Sequence, residues 1–313
     1  MGVAEFPAHW PSDPAMRDVL LRLRDSGAPA VREGSVGQTR ARIREMRRAM
    51  PSGPELGRVD SVVVPSRQGD VSVRCYVPAD AGAGSIVYAH GGGWVLGGID
   101  ESDALCRHLA LHTGHEVISV GYRLAPEHVF PAALDDVEAV VGWATNVHRP
   151  SEAVVVMGDS AGANLVTVVA RRARDGGDSA IVLQVLVYPV TDAEMRTDSF
   201  QRFEVDGLLL GSADMRWFWD QYVPDSGDRL SPDASPARAE DLAGLPPAVI
   251  VVAGYDPLRD EAVSYAERLS SAGVAVTLYE YPQMIHGFFP MYAEVDQAAD
   301  AMRLVVERAR DAL

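Results

Sequence analysis

The sequence of 313 residues contains no lysine, because all 28 of its basic residues are arginine. Mechanisms that need a primary amine are therefore excluded. These include the phosphate-binding loop that ends in Gly-Lys-Ser/Thr, Schiff-base chemistry with pyridoxal phosphate, and Ser-Lys hydrolysis. The absence of this one residue type removes nucleoside triphosphate hydrolysis through that loop, and amino transfer, from the functions to consider.

Cysteine is also scarce. Cys75 and Cys106 are too few for a disulfide framework, and their spacing matches no zinc or redox motif, so we interpret both as buried thiols. His108 and His112 lie four residues apart on a predicted helix, which is a spacing that metal ligands use. No glutamate follows as in the zinc-protease motif, and we therefore favour an ordinary helix surface without a metal.

An excess of basic charge and long apolar runs are missing as well. The chain has 44 acidic residues and a net charge of −16, which repels phosphate backbones, so no nucleic-acid partner is expected. No run of 18 apolar residues occurs, and charged residues interrupt the first thirty positions, unlike the apolar core of a signal peptide. These patterns predict a soluble, cytoplasmic protein without membrane insertion.

From about residue 57 onward, short β-branched runs alternate regularly with longer helical patterns. Several runs, such as 154–157 and 249–252, are continuously apolar, which is typical of strands covered on both faces. The predicted strands are 61–65, 71–77, 85–89, 116–122, 153–157, 183–187, 248–253 and 275–281, and the predicted helices are about 101–113, 131–147, 161–174, 257–272 and 292–312. This alternation predicts a doubly wound α/β fold with a mostly parallel, eight-stranded sheet and helices on both faces.

Two segments interrupt the alternation. Residues 1–55 carry helical patterns before any strand, and residues 191–224 contain a second helical stretch that is rich in aromatic residues. Because neither can pair into the sheet, we predict that both form a helical cap over the carboxyl ends of the strands, where open α/β sheets bind ligands. The catalytic domain would then comprise 56–190 and 225–313. The aromatic residues of the second stretch would be either cap core or an apolar wall for a substrate.

The sequence Gly-Asp-Ser-Ala-Gly at 158–162 follows an apolar strand and precedes a helix. The bare pattern Gly-x-Ser-x-Gly is expected about 0.17 times by chance in this composition, so its context matters. A strand that turns abruptly into a helix forces the central residue into a strained conformation, and the flanking glycines remove Cβ atoms that would clash there. Ser160 is therefore the candidate nucleophile, displayed at the positive end of a helix.

A second motif, His90 followed by three glycines, comes directly after the strand 85–89. It is expected only about 0.006 times by chance. A run of glycines lets the backbone approach a reacting group and direct its amides toward a developing oxyanion. We predict that the amides of Gly92, Gly93 and Ala161 form an oxyanion hole, with Gly91 as a further candidate donor.

A serine hydroxyl needs a base, and the base needs a carboxylate that orients it. His286 follows the last predicted strand, and Asp256 comes shortly after the strand 248–253. The order Ser, Asp, His along the chain, with the partners at the ends of successive strands, is the order used by α/β-hydrolases. Asp192 is the rival acid, whereas Asp260 falls inside the following predicted helix.

Taken together, five stretches of the sequence resemble the bacterial hormone-sensitive-lipase family of esterases. They are HGGGW at 90–94, YRLAPEH at 122–128, GDSAG at 158–162, DPLRD at 256–260 and HGF at 286–288. The resemblance spans about residues 60–310. It implies an α/β-hydrolase fold with a helical cap, hydrolysis of short- to medium-chain carboxylic esters, and no metal or organic cofactor.

Some residues near these motifs are expected to support the site. They include His90 and Asp159, and also Glu127, which we interpret as part of an internal ion-pair network with Arg123 and the acidic pair 135–136. An amidase or deacetylase, or a ligand receptor on a hydrolase fold that has lost activity, remain alternatives to an esterase. The apolar stripe of the last helix faces the core or serves a homodimer, and the expected partner is a small ester.

Overall fold

The sheet of this protein has eight strands in the order β1-β2-β4-β3-β5-β6-β7-β8, in a computed structural model that describes residues 10–49, 52–150, 152–204 and 208–313. The strands are β1 Arg58–Val64, β2 Val71–Val77, β3 Ser85–Ala89, β4 Glu116–Gly121, β5 Val154–Asp159, β6 Ile181–Val187, β7 Ala248–Tyr255 and β8 Val276–Ile285. Strand β2 is antiparallel to both of its neighbours, and every pair from β4 to β8 is parallel.

Within the described ranges, helices precede the sheet, connect its strands and close the chain. They are α1 Pro14–Asp25, α2 Val36–Ala49, α3 Asp103–Thr113, α4 Ala132–Trp143, α5 Ala161–Asp175, α6 Asp198–Arg202, α7 Ser212–Tyr222, α8 Arg259–Ser271 and α9 Asp296–Ala312. Asp13 caps α1, since its side chain accepts the amide proton of Met16 at 2.9 Å. A wider helical turn, Ala144–His148, extends α4.

The central strands β3 to β7 are buried on both faces, as their apolar sequences require, whereas β1 and β8 at the two edges are partly exposed. In β5, Val154 and Val156 face a core that includes residues of α4, α5, α7 and α8, while Val155 and Met157 face a core with residues of α1, α3 and α9. The apolar runs therefore arise because each strand contributes alternate side chains to two layers. This arrangement confirms the predicted mostly parallel α/β fold with helices on both faces.

One difference from the predicted elements is at β8, which the sequence predicts to end at 281 but which continues to Ile285. Strand β8 lies at the edge of the sheet and pairs only with β7 among the described strands, which is a position where a proline is tolerated. Its pairing with β7 also shifts register between Ala253 and Tyr255. This irregular pairing carries the last strand to the residue directly before His286.

The two segments predicted to form a cap are helical where the structure describes them. The first includes α1 and α2, with 1–9, 50 and 51 outside the described residues, and the second includes α6 and α7, with 205–207 outside. Helix α1 packs with α3 and α9 in one core layer, and the division into cap and catalytic domains stays a prediction. None of the helices in the described part of the chain combines the length and apolarity needed to span a bilayer.

Candidate active site

Ser160 lies at a sharp turn between β5 and α5. Its backbone has φ 54° and ψ −118°, a conformation that a non-glycine residue keeps only when the surrounding structure enforces it. The turn is tight because glycines flank it: a Cβ on Gly162 would collide with the carbonyl of Ala89, and one on Gly158 would collide with Gly162 itself. The amide of Ser160 donates to the carbonyl of Val187 at 2.8 Å, which anchors the turn to β6.

The three residues predicted to act on the substrate lie within hydrogen-bonding distance of one another. The Nε2 atom of His286 is 3.0 Å from Oγ of Ser160, and its Nδ1 atom is 2.7 Å from Oδ2 of Asp256. Strands β5, β7 and β8 place them, since each residue directly follows the carboxyl end of one of these strands. The geometry allows one imidazole to accept a proton from the hydroxyl while the carboxylate holds the opposite ring nitrogen.

Asp256 is fully buried, and its second oxygen accepts the amide proton of Leu258 at 2.8 Å. The rival acid Asp192 is elsewhere, because its Oδ1 accepts from Nε of Arg238 at 3.0 Å and contributes nothing to His286. Asp260 is the second residue of α8, as expected. The structure therefore pairs the histidine with the acid that the sequence favoured.

Sequence reasoning missed Tyr188, whose ring centroid lies 4.5 Å from that of His286. Tyr188 follows β6 with φ 35°, is buried, and donates its amide to Val251 at 2.6 Å. The sequence contains a signal for this position. Strand β6 is the neighbour of β5, so the residue directly after β6 must lie close to Ser160. Its ring packs against one side of the imidazole.

The glycine loop lies against the turn that carries Ser160. Gly92 and Gly93 have φ values of 115° and 60°, and Trp94 follows with φ 60°. Among the hydrogen bonds of the described residues, the amides of Gly92, Gly93 and Ala161 donate to no protein acceptor. These three N–H groups are therefore available to an oxyanion.

Gly91 differs from its neighbours. Its amide donates to Oδ1 of Asp159 at 2.8 Å, and a Cβ at this position would collide with the same carboxylate. The expectation that Gly91 joins the oxyanion donors is therefore wrong, since its single N–H is already used. Gly91 instead joins the glycine loop to the turn before Ser160.

Asp159 supports the glycine loop through two hydrogen bonds to its Oδ1 atom, one of them from the amide of Gly91. Its Oδ1 also accepts the hydroxyl proton of Tyr88 at 2.5 Å. Burial raises the pKa of the Asp159 carboxyl above its ordinary value, and the bonds from Tyr88 and Gly91 act in the opposite direction. The Asp159 carboxyl thus joins the glycine loop to the hydroxyl of Tyr88 directly before the nucleophile.

His90 is buried and stacks on Tyr122 with ring centroids 4.2 Å apart. Burial lowers the pKa of His90 to about 4, against a weaker opposing effect of its bond to the carbonyl of Gly91. The hydroxyl of Tyr122 donates to the carbonyl of His90 at 2.7 Å. Two of the three predicted supporting residues, His90 and Asp159, therefore contact the backbone of the glycine loop.

Glu127 departs from the expected network. Arg123 binds Asp136 through both its guanidinium and its amide, whereas Glu127 is exposed and pairs with Arg40 of α2 at 2.8 Å. The prediction that Glu127 joins Arg123 is wrong because its side chain turns outward toward α2. Arg40 itself was not singled out, since α2 contains five arginines at positions that no local pattern separates.

The 191–224 segment covers the loop and the histidine. The ring of Trp94 stacks on Tyr222 at 4.4 Å, and a Cβ on Gly93 would collide with the ring of Phe218. A Cβ on Gly287 would lie 2.8 Å from Cδ2 of Leu209. Aromatic residues of α7 thus pack on the glycine loop, and Ser160 and His286 are both less than a tenth exposed.

Metal-ligating side chains of the described residues come together only at Cys75, Glu116 and His148, within 4.8 Å of one another. Glu116 begins β4, at the end of the sheet opposite Ser160, and already pairs with Arg149 at 2.7 Å and His148 at 3.0 Å. An ion-pair cluster accounts for this group. His108 contacts both His112 and Tyr292, with ring centroids 4.2 Å apart in each pair, on a surface that α3 shares with α9.

Comparison with known proteins shows the family to which this fold belongs. A family model described as an alpha/beta hydrolase fold matches residues 86–290. The chain is 42% identical over 90% of its length, and 77% of the relative, to the carboxylic ester hydrolase LipN of Mycobacterium tuberculosis. It is 41% identical to an ethyl acetate hydrolase of Pseudomonas putida, over 74% of this chain and 73% of the relative.

A solved structure leads to the same result. The hyperthermophilic esterase of the archaeon Pyrobaculum calidifontis matches with a TM-score of 0.91 and 36% identity, covering 96% of this chain and 98% of that one. The fold and the relatives agree over most of the chain. The chain therefore belongs to the α/β-hydrolase family, among the esterases that resemble hormone-sensitive lipase.

Proposed function

We propose that this protein is a carboxylesterase that hydrolyses short- to medium-chain carboxylic esters through an acyl-enzyme intermediate on Ser160. The observation that carries the proposal is the position of His286, which is 3.0 Å from the Ser160 hydroxyl and 2.7 Å from the Asp256 carboxylate. Relatives named as ester hydrolases at 41–42% identity support the same chemistry.

The reaction follows from the groups that these two hydrogen bonds join. Nε2 of His286 takes the hydroxyl proton as Ser160 attacks the ester carbonyl, and Asp256 stabilises the imidazolium that forms. The amides of Gly92, Gly93 and Ala161 bind the oxyanion. The imidazolium then gives its proton to the leaving alcohol. A water molecule, deprotonated by the same imidazole, attacks the acyl-enzyme. The imidazolium returns that proton to Oγ of Ser160 as the carboxylic acid leaves, which restores the free enzyme.

The proposed preference for short to medium acyl chains is supported by the residues around the hydroxyl. Phe218 packs on Gly93, Leu209 lies beside Gly287, and Ser160 is only 6% exposed. These side chains border the entrance to the nucleophile, so a long acyl chain would have to pass between them or displace them. We extend the proposal to the segments 1–55 and 191–224 as a cap that shapes this space.

The test is a series of p-nitrophenyl esters from acetate to dodecanoate, assayed with the native protein and with Ser160→Ala. Loss of the nucleophile should lower kcat by at least about 10⁴-fold. The matched control is Ser226→Ala, which removes an exposed hydroxyl without effect on turnover. Turnover by Ser160→Ala equal to that of the native protein would remove the proposed mechanism.

Two finer expectations accompany the proposal and stay predictions: a cytoplasmic location and a homodimer. The apolar stripe of α9 does not by itself favour a dimer, because Ala298, Met302, Val305 and Ala309 are already buried against the sheet. A cofactor-free reaction is likewise proposed, since each proton transfer above runs between His286 and Ser160, the leaving alcohol or water.

A further inference from the structure

The glycine loop has an unusual backbone that must be held from outside. Three consecutive residues, Gly92, Gly93 and Trp94, have φ values between 60° and 115°. For the tryptophan this conformation is strained, and such strain persists only where surrounding contacts enforce it. The internal bonds of the loop come from Val95 and Leu96, whose amides donate to the carbonyl of Gly92 at 3.1 and 2.8 Å.

Arg40 of α2 binds the far end of this loop. Its Nε donates to the carbonyl of Val95 at 2.8 Å, and its Nη2 donates to the carbonyl of Ala125 at 2.7 Å. Val95 and Ala125 are fully buried, and the Arg40 side chain is 15% exposed. One guanidinium thus joins the loop to the 122–128 segment.

The contacts of Arg40 with Val95 and Ala125 lie next to a backbone hydrogen bond between the same two segments. The amide of Ala125 donates to the carbonyl of Trp94 at 2.9 Å, so the loop and the 122–128 segment are linked at two consecutive carbonyls. Without the guanidinium, the carbonyls of Val95 and Ala125 would lose the donor that the structure gives them in a buried location. The loop would then recover its polar contacts only by shifting, and a shift there moves the amides of Gly92 and Gly93.

We infer that Arg40 is a positioning residue for the oxyanion hole, acting from α2 through the carbonyls of Val95 and Ala125. This inference rests on the proposed ester hydrolysis at Ser160. Arg40 touches no reacting atom, and its effect is to fix where the two glycine amides lie. Because oxyanion donors act mainly on the transition state, displacement of the loop lowers kcat more than it raises KM.

The experiment compares Arg40→Ala and Arg40→Lys with the native protein, with kcat normalised to the active sites titrated by an organophosphonate. A displacement of about 1 Å costs about 100-fold in rate, so we expect kcat per titrated site to fall about 10- to 100-fold in Arg40→Ala. KM should change less than threefold. Lysine can donate to the two carbonyls only as a point charge, and Arg40→Lys should give an intermediate loss.

A second readout separates positioning from stability. A boronic acid forms a tetrahedral adduct with Ser160 and places an oxygen in the oxyanion hole, so its affinity should fall in parallel with kcat/KM in Arg40→Ala. The matched control is Arg44→Ala, one turn further along α2, where Arg44 is exposed and reaches only Glu101 at 3.9 Å. This variant should keep native kcat and native boronate affinity.

Native kcat per titrated site in Arg40→Ala, or an equal loss in Arg44→Ala, would overturn the inference. If Arg40→Ala does not fold, Arg40→Lys serves alone, and native kcat and boronate affinity in that variant have the same meaning. The Ser160→Ala variant distinguishes the two proposals. Native activity in Ser160→Ala would refute the esterase mechanism itself. An inactive Ser160→Ala together with a fully active Arg40→Ala would refute only the role of Arg40.

Discussion

Replacing Asp256 by asparagine should almost abolish turnover without unfolding the protein. In the native structure, Oδ1 of Asp256 accepts the amide proton of Leu258 at 2.8 Å and Oδ2 faces Nδ1 of His286 at 2.7 Å. The Leu258 amide can only donate, so the carboxamide oxygen of the introduced asparagine must take the Oδ1 position. The carboxamide NH₂ then faces His286, and Nδ1 becomes an acceptor.

That exchange reverses the imidazole tautomer. With Nδ1 accepting, the ring proton moves to Nε2, and this nitrogen can no longer take the proton of Ser160 at 3.0 Å. The same replacement in the serine protease triad lowers kcat by about 10⁴-fold, which corresponds to about 5.4 kcal/mol of transition-state stabilisation. We expect a loss of this size for Asp256→Asn, because the carboxylate is fully buried and no water can take its place.

The assay is the steady-state hydrolysis of a short p-nitrophenyl ester, with circular dichroism to establish folding. Asp192→Asn is the matched control, since its carboxylate binds Arg238 and the variant should stay within about threefold of native kcat. Refutation would come from the opposite pattern, a folded Asp256→Asn with native turnover beside an inactive Asp192→Asn. Asp192 would then be the orienting acid.

Three further substitutions test other parts of the structure. Burial lowers the pKa of His90 from its ordinary 6.5 to about 4 in the folded state. As the pH falls, the unfolded state therefore binds a proton at this imidazole before the folded state does, and the free energy of unfolding should fall by about 3 kcal/mol from pH 6.5 to 4. Urea titrations at several pH values should find a smaller fall in His90→Gln. Gly162→Ala should cost about 3 kcal/mol of stability through its clash with Ala89, whereas Gly142→Ala, in α4 with open space around it, should be neutral or stabilising by urea denaturation. Phe218→Ala should shift the ester preference toward longer acyl chains, and an unchanged chain-length profile would exclude Phe218 from the substrate pocket.

Much of the fold was predictable from the sequence because its signals are local. The apolar run of β5, the flanking glycines and the helix after Ser160 appear within about twenty residues, and each follows from steric rules that act on neighbours. The order of Ser160, Asp256 and His286 along the chain also predicts that these distant residues meet, since parallel strands bring their carboxyl ends to one edge of the sheet.

What the sequence could not supply depends on partners distant along the chain. Gly91 and Gly92 are identical residues in one motif, and only the position of Asp159 decides that the amide of Gly91 is occupied. Arg40 is one of five arginines in α2, and only the packing of α2 against Val95 distinguishes it. Proximity in sequence favours Arg123 as the ion-pair partner of Glu127, whereas in the fold Glu127 pairs with Arg40.

The strained backbone of the described residues supports the location of the site independently of its motifs. Positive φ values at non-glycine residues occur there at Trp94, Ser160, Tyr188 and Met195. Each of the first three follows a strand at the same edge of the sheet, and such residues cost about 1–3 kcal/mol apiece. Specific bonds hold them: Ser160 donates to Val187, Tyr188 donates to Val251, and the carbonyl of Trp94 accepts from Ala125. Strained residues without a function would be found at unrelated positions or would be replaced by glycine. Their concentration around the hydroxyl of Ser160 therefore indicates that the fold holds this hydroxyl, its base and its amide donors in fixed positions.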